Sequence, residues 1–154
     1  MKIPDSMNHP LFFGRDTKRD KGCFREDIVA LSFRDAPPLS PEKLKQKLDG
    51  WKTEGEKIRQ LFSERKPHEA SGPLIDQLSC FIQALFWCNN SWVHDLVHWQ
   101  NTVDNLPVRP VNAVERLELI FTRPSHFTAW IQLNELFSEL EKKAASHLRA
   151  PRME

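Results

Sequence analysis

Between Lys66 and Arg109 the chain runs 42 residues without a lysine or arginine, and within that gap it places Phe81, Phe86, Trp87, Trp92 and Trp99. A stretch so poor in cations and so rich in large rings predicts the core of the fold, because such side chains favour the interior. Its apolar residues recur at three and four, the helical spacing, and nowhere does the chain sustain strand alternation. The same gap holds the cluster with chemical potential: Cys80, Cys88, His94, Asp95 and His98.

A chain of 154 residues fits one domain and buries about two-thirds of its unfolded surface, so it needs no staple. Three cysteines, at 23, 80 and 88, make no disulfide framework, which points to a reducing, cytoplasmic setting. Met1 to Pro10 has no apolar run of the secretory kind. The longest uncharged stretch is interrupted by Gln77, Gln83, Asn89 and Asn90, so no membrane span is expected. The net charge of +1 lacks the basic excess of a dedicated nucleic-acid binder. Its densest basic patch, Arg15, Lys18, Arg19, Lys21 and Arg25, is diluted by Asp16, Asp20 and Glu26.

The fold class expected is all-α, a single-domain bundle of about five principal helices. Residues 1–38 form an irregular segment packing on the bundle, residues 39–148 the bundle, and residues 149–154 a frayed tail. One short helix is expected near Arg25 to Phe33, where Phe24, Ile28 and Leu31 share a face. Ser40 and Pro41 open the first long helix, because a serine hydroxyl accepts a backbone N–H and proline's missing donor is harmless at the first position. Its stripe is Leu44, Leu48, Trp51, Ile58, Leu61 and Phe62, with a bend allowed at Gly55. Arg65 to Gly72 reads as a connection, and Ser71, Gly72 and Pro73 as the start of a central helix ending near Asn89 and Asn90. Ser91 then caps a helix in which Trp92, Leu96, Trp99 and Val103 recur at helical spacing, closed by Pro107. Asn112 and Glu115 have capping-box spacing before a fourth helix. Ser125 opens the last, with a core stripe of Phe127, Trp130, Ile131, Phe137, Leu140 and Ala144.

On a helix, His94 and His98 lie one turn apart and project from one face, as ligands of a single divalent metal ion would. The string His94, Asp95, Leu96, Val97, His98 resembles the zincin motif H-E-x-x-H with Asp in place of Glu, which shortens the general base by one methylene. A third ligand is not identified; Cys88, Glu115 and Glu118 are candidates. The adjacent His94 and Asp95 also resemble the pair that names the metal-dependent HD phosphohydrolases, an all-helical family, with His68 standing for the earlier histidine. That pattern requires a further Asp well downstream, and none follows Asp104. Cys80 and Cys88, eight apart, are separated by about 12 Å along a helix axis and cannot pair while it is intact. Cys23, with Lys21 and Arg25 nearby, is the candidate reactive thiol. The five glycines form no phosphate cradle and G-x-S-x-G does not occur. A base-stacking platform pairs its rings with basic neighbours, which the aromatic segment lacks.

The order of His9, Pro10, Leu11, Phe12, Phe13, then Phe81, Ile82, Gln83, Ala84, Leu85, Phe86, Trp87, then Asn134, Glu135, Leu136, Phe137 resembles the small YpoC-like proteins of Bacillus-type bacteria. What the resemblance implies is a cytoplasmic helical protein, with no catalytic residues to carry over. The leading expectation is therefore a non-enzymatic protein-interaction module anchored by Trp87, Trp92 or Trp99, since interface hot spots favour Trp. No cofactor is expected under that reading. The alternatives are a nucleic-acid-associated accessory protein gripping phosphate through Arg15, Lys18, Arg19, Lys21 and Arg25, and a metal-dependent hydrolase built on His94, Asp95 and His98.

Overall fold

Ser40 caps the first long helix as its sequence predicts: its backbone is extended and its Oγ accepts from the Lys43 N–H at 3.1 Å, with Pro41 as the first helical residue. A computed structural model describes residues 3–13, 23–32 and 40–149. A 3-10 turn, Asp5–Met7, precedes α1 (Pro10–Phe13), α2 (Arg25–Ser32), α3 (Pro41–Ser63), α4 (Pro67–Cys88), α5 (Trp99–Asp104), α6 (Ala113–Thr122) and α7 (Phe127–Arg149). Among the described residues there is no strand, and five of the seven α-helices have eight residues or more, so the class is all-α. No helix of the described residues is long and apolar enough to cross a membrane.

A three-residue turn with Arg65 in the left-handed conformation sends α4 back along α3. The long helix α7 packs on both, α6 on α7, α5 on α6, and α1 on α4. Contrary to the sequence expectation, α4 begins at Pro67, and Pro73 sits inside it. Pro67 occupies the first helical position, where a missing N–H costs nothing. Pro73 forfeits the bond to the Glu69 carbonyl, and the helix carries on through it because Ala70, Leu74, Ile75 and Leu78 on one side of the helix are all buried in the core.

The core draws Leu44, Leu48, Trp51 and Ile58 from α3, most of α4, and Leu133, Leu136, Phe137 and Leu140 from α7. Two stripes differ from expectation. On α7 the buried series is Ala129, Leu133, Leu136, Phe137, Leu140 and Ala144, so Phe127 and Ile131 fall on its flank and are exposed; on α2, Leu31 is exposed as well. Asn112 does not close a capping box: it is left-handed (φ 56°) and makes no side-chain cap. The half-buried Arg116 instead ties α6 to α7, donating from Nε to Gln132 Oε1 at 3.1 Å and pairing with Glu139 at 2.6 Å.

Gly55 answers to close packing. A Cβ there would lie 2.7 Å from Cε2 of Trp51. That ring is not free to move, because it stacks on Phe137 (4.9 Å, 8°) and donates from Nε1 to Asn134 Oδ1 at 2.9 Å. Trp130 Nε1 in turn donates to the Gly55 carbonyl at 2.8 Å. Overpacking costs about 1–3 kcal/mol and alanine recovers about 1 kcal/mol of helix propensity, so Gly55→Ala is expected to lose up to about 2 kcal/mol. A urea midpoint at or above the parent's would show that the Trp51 ring yields.

Candidate functional site

The histidine cluster lies on a segment that is not helical. Residues 91–98 run between α4 and α5 in irregular and turn conformation, although Trp92, Leu96 and Trp99 have helical spacing. The reason is where the backbone donors go. Val93 N–H donates to Asp27 Oδ2 at 2.6 Å, and the N–H groups of Leu96 and Val97 both donate to the Ser6 carbonyl at 2.8 and 3.1 Å. Ser6 Oγ donates to the His94 carbonyl at 2.9 Å. A helix over these residues would have to break bonds to α2 and to the amino-terminal segment.

Asn89 and Asn90 make this departure possible. Asn90 is left-handed (φ 56°) and ends α4, while Ser91 N–H donates back to the Phe86 carbonyl at 3.1 Å. Asn89 clamps the returning chain, its Nδ2 donating to the Leu85 and Val108 carbonyls and its Oδ1 accepting from Val108 N–H.

At the centre is Asp27, fully buried on α2. Its Oδ1 accepts from Gln83 Nε2 at 2.7 Å, and its Oδ2 accepts from Trp87 Nε1 at 3.0 Å and from Val93 N–H. Burial pushes its carboxyl above the usual carboxylate range; the three donors pull the other way without cancelling that rise. With no solvent access it positions other groups and meets no reagent. Neighbouring Glu26 is also raised by burial, but hydrogen bonding and the Lys47 ammonium, 3.2 Å away, outweigh this and hold it below its ordinary value.

Asp27 did not stand out in the sequence, where it reads as one of two acids in the first turn of a short helix. A signal was there: Phe24, Asp27, Ile28 and Leu31 follow the three–one–three spacing of one helical face, so the acid shares the apolar register.

The three tryptophans separate. Trp87 is spent on Asp27 and lies edge-on to Trp92 (5.7 Å, 80°), and Trp99 stacks on Phe121 (4.3 Å, 8°). Both are buried, at 5% and 3% exposure, which corrects their expected place as surface anchors; Trp92 is partly buried. His94 and His98 are exposed and no longer one helical turn apart. His94 Nδ1 lies 3.3 Å from the Trp92 carbonyl, whereas His98 Nδ1 lies 3.1 Å from Asp95 Oδ2. Asp95 Oδ1 accepts the His98 backbone N–H at 2.9 Å, a local turn. Slight burial would raise Asp95, but these His98 bonds prevail and hold it low. Among the described residues no group of three or more His, Cys, Asp or Glu is placed to hold a metal ion.

Cys23 is buried, with its Sγ donating to Asp76 Oδ1 at 3.9 Å. Burial pushes the Cys80 and Cys88 thiols up. Of the basic patch, Arg15, Lys18, Arg19 and Lys21 lie outside the described residues, and Arg25 is exposed at the start of α2.

The model of the YpoC-like protein family matches residues 41–150, the stretch that begins just after the Ser40 cap and takes in α3 to α7. The chain belongs to the YpoC-like protein family. The family span includes Gln83, Trp87 and Val93 but starts after Asp27 and after the His9 to Phe13 string. The chain is also 30% identical over 83 residues to a protein of Bacillus subtilis (strain 168) called "Uncharacterized protein YpoC"; that match covers 53% of this chain and half of the relative's length. No solved structure matches this YpoC-like chain.

Proposed function

We propose that this YpoC-like protein is a cytoplasmic module that binds another protein through the face where α3 and α7 meet around Phe127. The observation that carries the reading is a large ring held rigid in solvent. Phe127 is 44% exposed, yet it lies edge-on to Phe62 (5.5 Å) and stacks on Trp130 (5.4 Å, 3°). Trp130 in turn neighbours Trp51 in the core (6.1 Å), so the exposed ring rests on a continuous aromatic wall. A preorganised aromatic residue loses little freedom on binding, which is what an interface anchor needs. Exposed Ile131 lies one helical turn further along α7, and Leu61 lines a shallow groove of about 710 Å³ with Thr53, Glu56, Lys57 and Gln60. These features suit an apolar side chain flanked by polar contacts of either charge. The cytoplasmic setting is supported by Cys80 and Cys88, which are thiols.

The test is affinity capture from native lysate with the parent chain and with Phe127→Ser, a change at an exposed position. A protein retained by the parent and lost by the variant, at equal thermal stability of the two, is the expected result. Equal recovery by both, or nothing retained by the parent, would overturn the reading.

A further inference from the structure

Two cysteines far apart in the sequence, Cys23 and Cys80, lie on one seam between α2 and α4. On α4, Asp76, Cys80 and Gln83 follow at four and three residues, so they share one stripe of the helix. The start of α2 runs along that stripe. Cys23, in the turn before α2, donates from Sγ to Asp76 Oδ1 at 3.9 Å. A turn further on, Gln83 Nε2 donates to Glu26 Oε1 at 3.3 Å and to Asp27 Oδ1 at 2.7 Å. Cys80 sits between these two points of contact, one turn from Asp76, a spacing that puts Cβ atoms about 5–6 Å apart. Burial pushes the Cys80 thiol up, and a charge on Cys23 adds to the rise, which places the two sulfurs within electrostatic range of each other.

Two further features suit the pair to bond formation. Cys23 belongs to a turn, whose backbone yields more readily than that of a helix. Cys80 is half-buried and forms part of the wall of a recess of about 420 Å³ with Glu26, Lys43 and Lys47, which gives a small oxidant a route to it. Cys88 is buried and about 12 Å further along the axis of α4.

We propose that Cys23 and Cys80 form a reversible disulfide when the protein meets a peroxide, fastening the start of α2 to α4. The Cys80 thiolate attacks one peroxide oxygen; the O–O bond breaks, the other oxygen leaves as water, and Cys80 becomes a sulfenic acid. Cys23 Sγ then attacks that sulfur. The S–S bond forms, the S–O bond breaks, and a second water leaves with the Cys23 proton, which the Asp76 carboxylate is placed to take and pass on. The two thiols lose two electrons and two protons, and the peroxide gains them. Because burial keeps Cys80 largely protonated, the pair answers sustained oxidant and not traces. Small thiols reverse the bond by exchange.

The test treats the reduced full chain with hydrogen peroxide, at a concentration that leaves its circular dichroism unchanged, and maps its peptides by mass spectrometry without reductant. A peptide linking Cys23 to Cys80 is expected as the main bridged species; it should persist in Cys88→Ser and disappear on adding dithiothreitol. In Cys23→Ala the linked peptide is lost and oxidation stops at the Cys80 sulfenic acid, read as a dimedone adduct. The oxidised parent should melt at a higher temperature than the reduced one, since the bridge closes a long loop. Oxidation without a bridge, bridges shared equally with Cys88, no dimedone adduct on Cys80 in Cys23→Ala, or an oxidised form that melts below the reduced one would overturn the proposal.

Discussion

Replacing Asp27 by Ala is expected to lower the unfolding free energy by about 3–5 kcal/mol, the cost of breaking a buried charged network. The carboxylate satisfies Gln83 Nε2, Trp87 Nε1 and Val93 N–H inside the core, and alanine leaves Trp87 Nε1 and Val93 N–H without an acceptor and Gln83 Nε2 with only its longer bond to Glu26 Oε1 at 3.3 Å. Against a typical domain stability of about 5–15 kcal/mol that is a large share. Equilibrium urea unfolding checks it. A loss under about 1 kcal/mol would mean that the donors find other acceptors and that the network is not what holds residues 91–98 to α2.

The same residue sets a pH dependence whose sign follows from its raised pKa. The native state holds the Asp27 proton more tightly than the unfolded chain, whose ordinary value is 3.8. The stabilisation from that proton is complete below the ordinary value and is lost as pH rises through the raised one. Asp27→Asn carries no such proton. Its stability relative to the parent is therefore expected to improve between about pH 4 and about pH 7, compared by urea unfolding at the two ends. A relative stability that falls with pH would show the carboxylate to be favoured in its charged form.

Trp99→Ala is expected to cost about 3–5 kcal/mol, as truncation of a large core aromatic does, while leaving partner capture intact. Trp99 is 3% exposed and stacked on Phe121, whose ring also meets Phe12 and His9 edge-on. It thus joins α5 to α6 and to the amino-terminal segment. Chemical unfolding measures the loss, and capture is compared at a temperature where both proteins are folded. A near-neutral change in stability with loss of capture would restore Trp99 as a surface anchor and remove Phe127 from that role.

Much of the frame was legible because its signals are local. Ser40 and Pro41 start α3, and Asn89 and Asn90 end α4, through bonds that reach three to five residues along the chain. The stripe of α3 follows its sequence spacing for the same reason. Locality also explains what misled. Pro73 reads as a helix start because proline is favoured there, yet Pro67 begins α4 six residues earlier. Phe127 reads as core from its position at the start of an apolar series, yet α7 turns Ala129, Leu133 and Leu136 inward instead.

By itself the sequence determined the helical class, the Ser40 cap of α3, the Asn89 and Asn90 end of α4 and the aromatic core of α4, since each depends on residues within a turn or two of one another. Only the tertiary structure decided the fate of residues 91–98 and of the tryptophans around them. There the deciding bonds join Val93 to Asp27 across 66 residues and His94 to Ser6 across 88. A buried carboxylate that needs three donors takes a backbone N–H from a segment whose own spacing favours a helix, because leaving that charge unsatisfied costs more than a few turns of helix are worth.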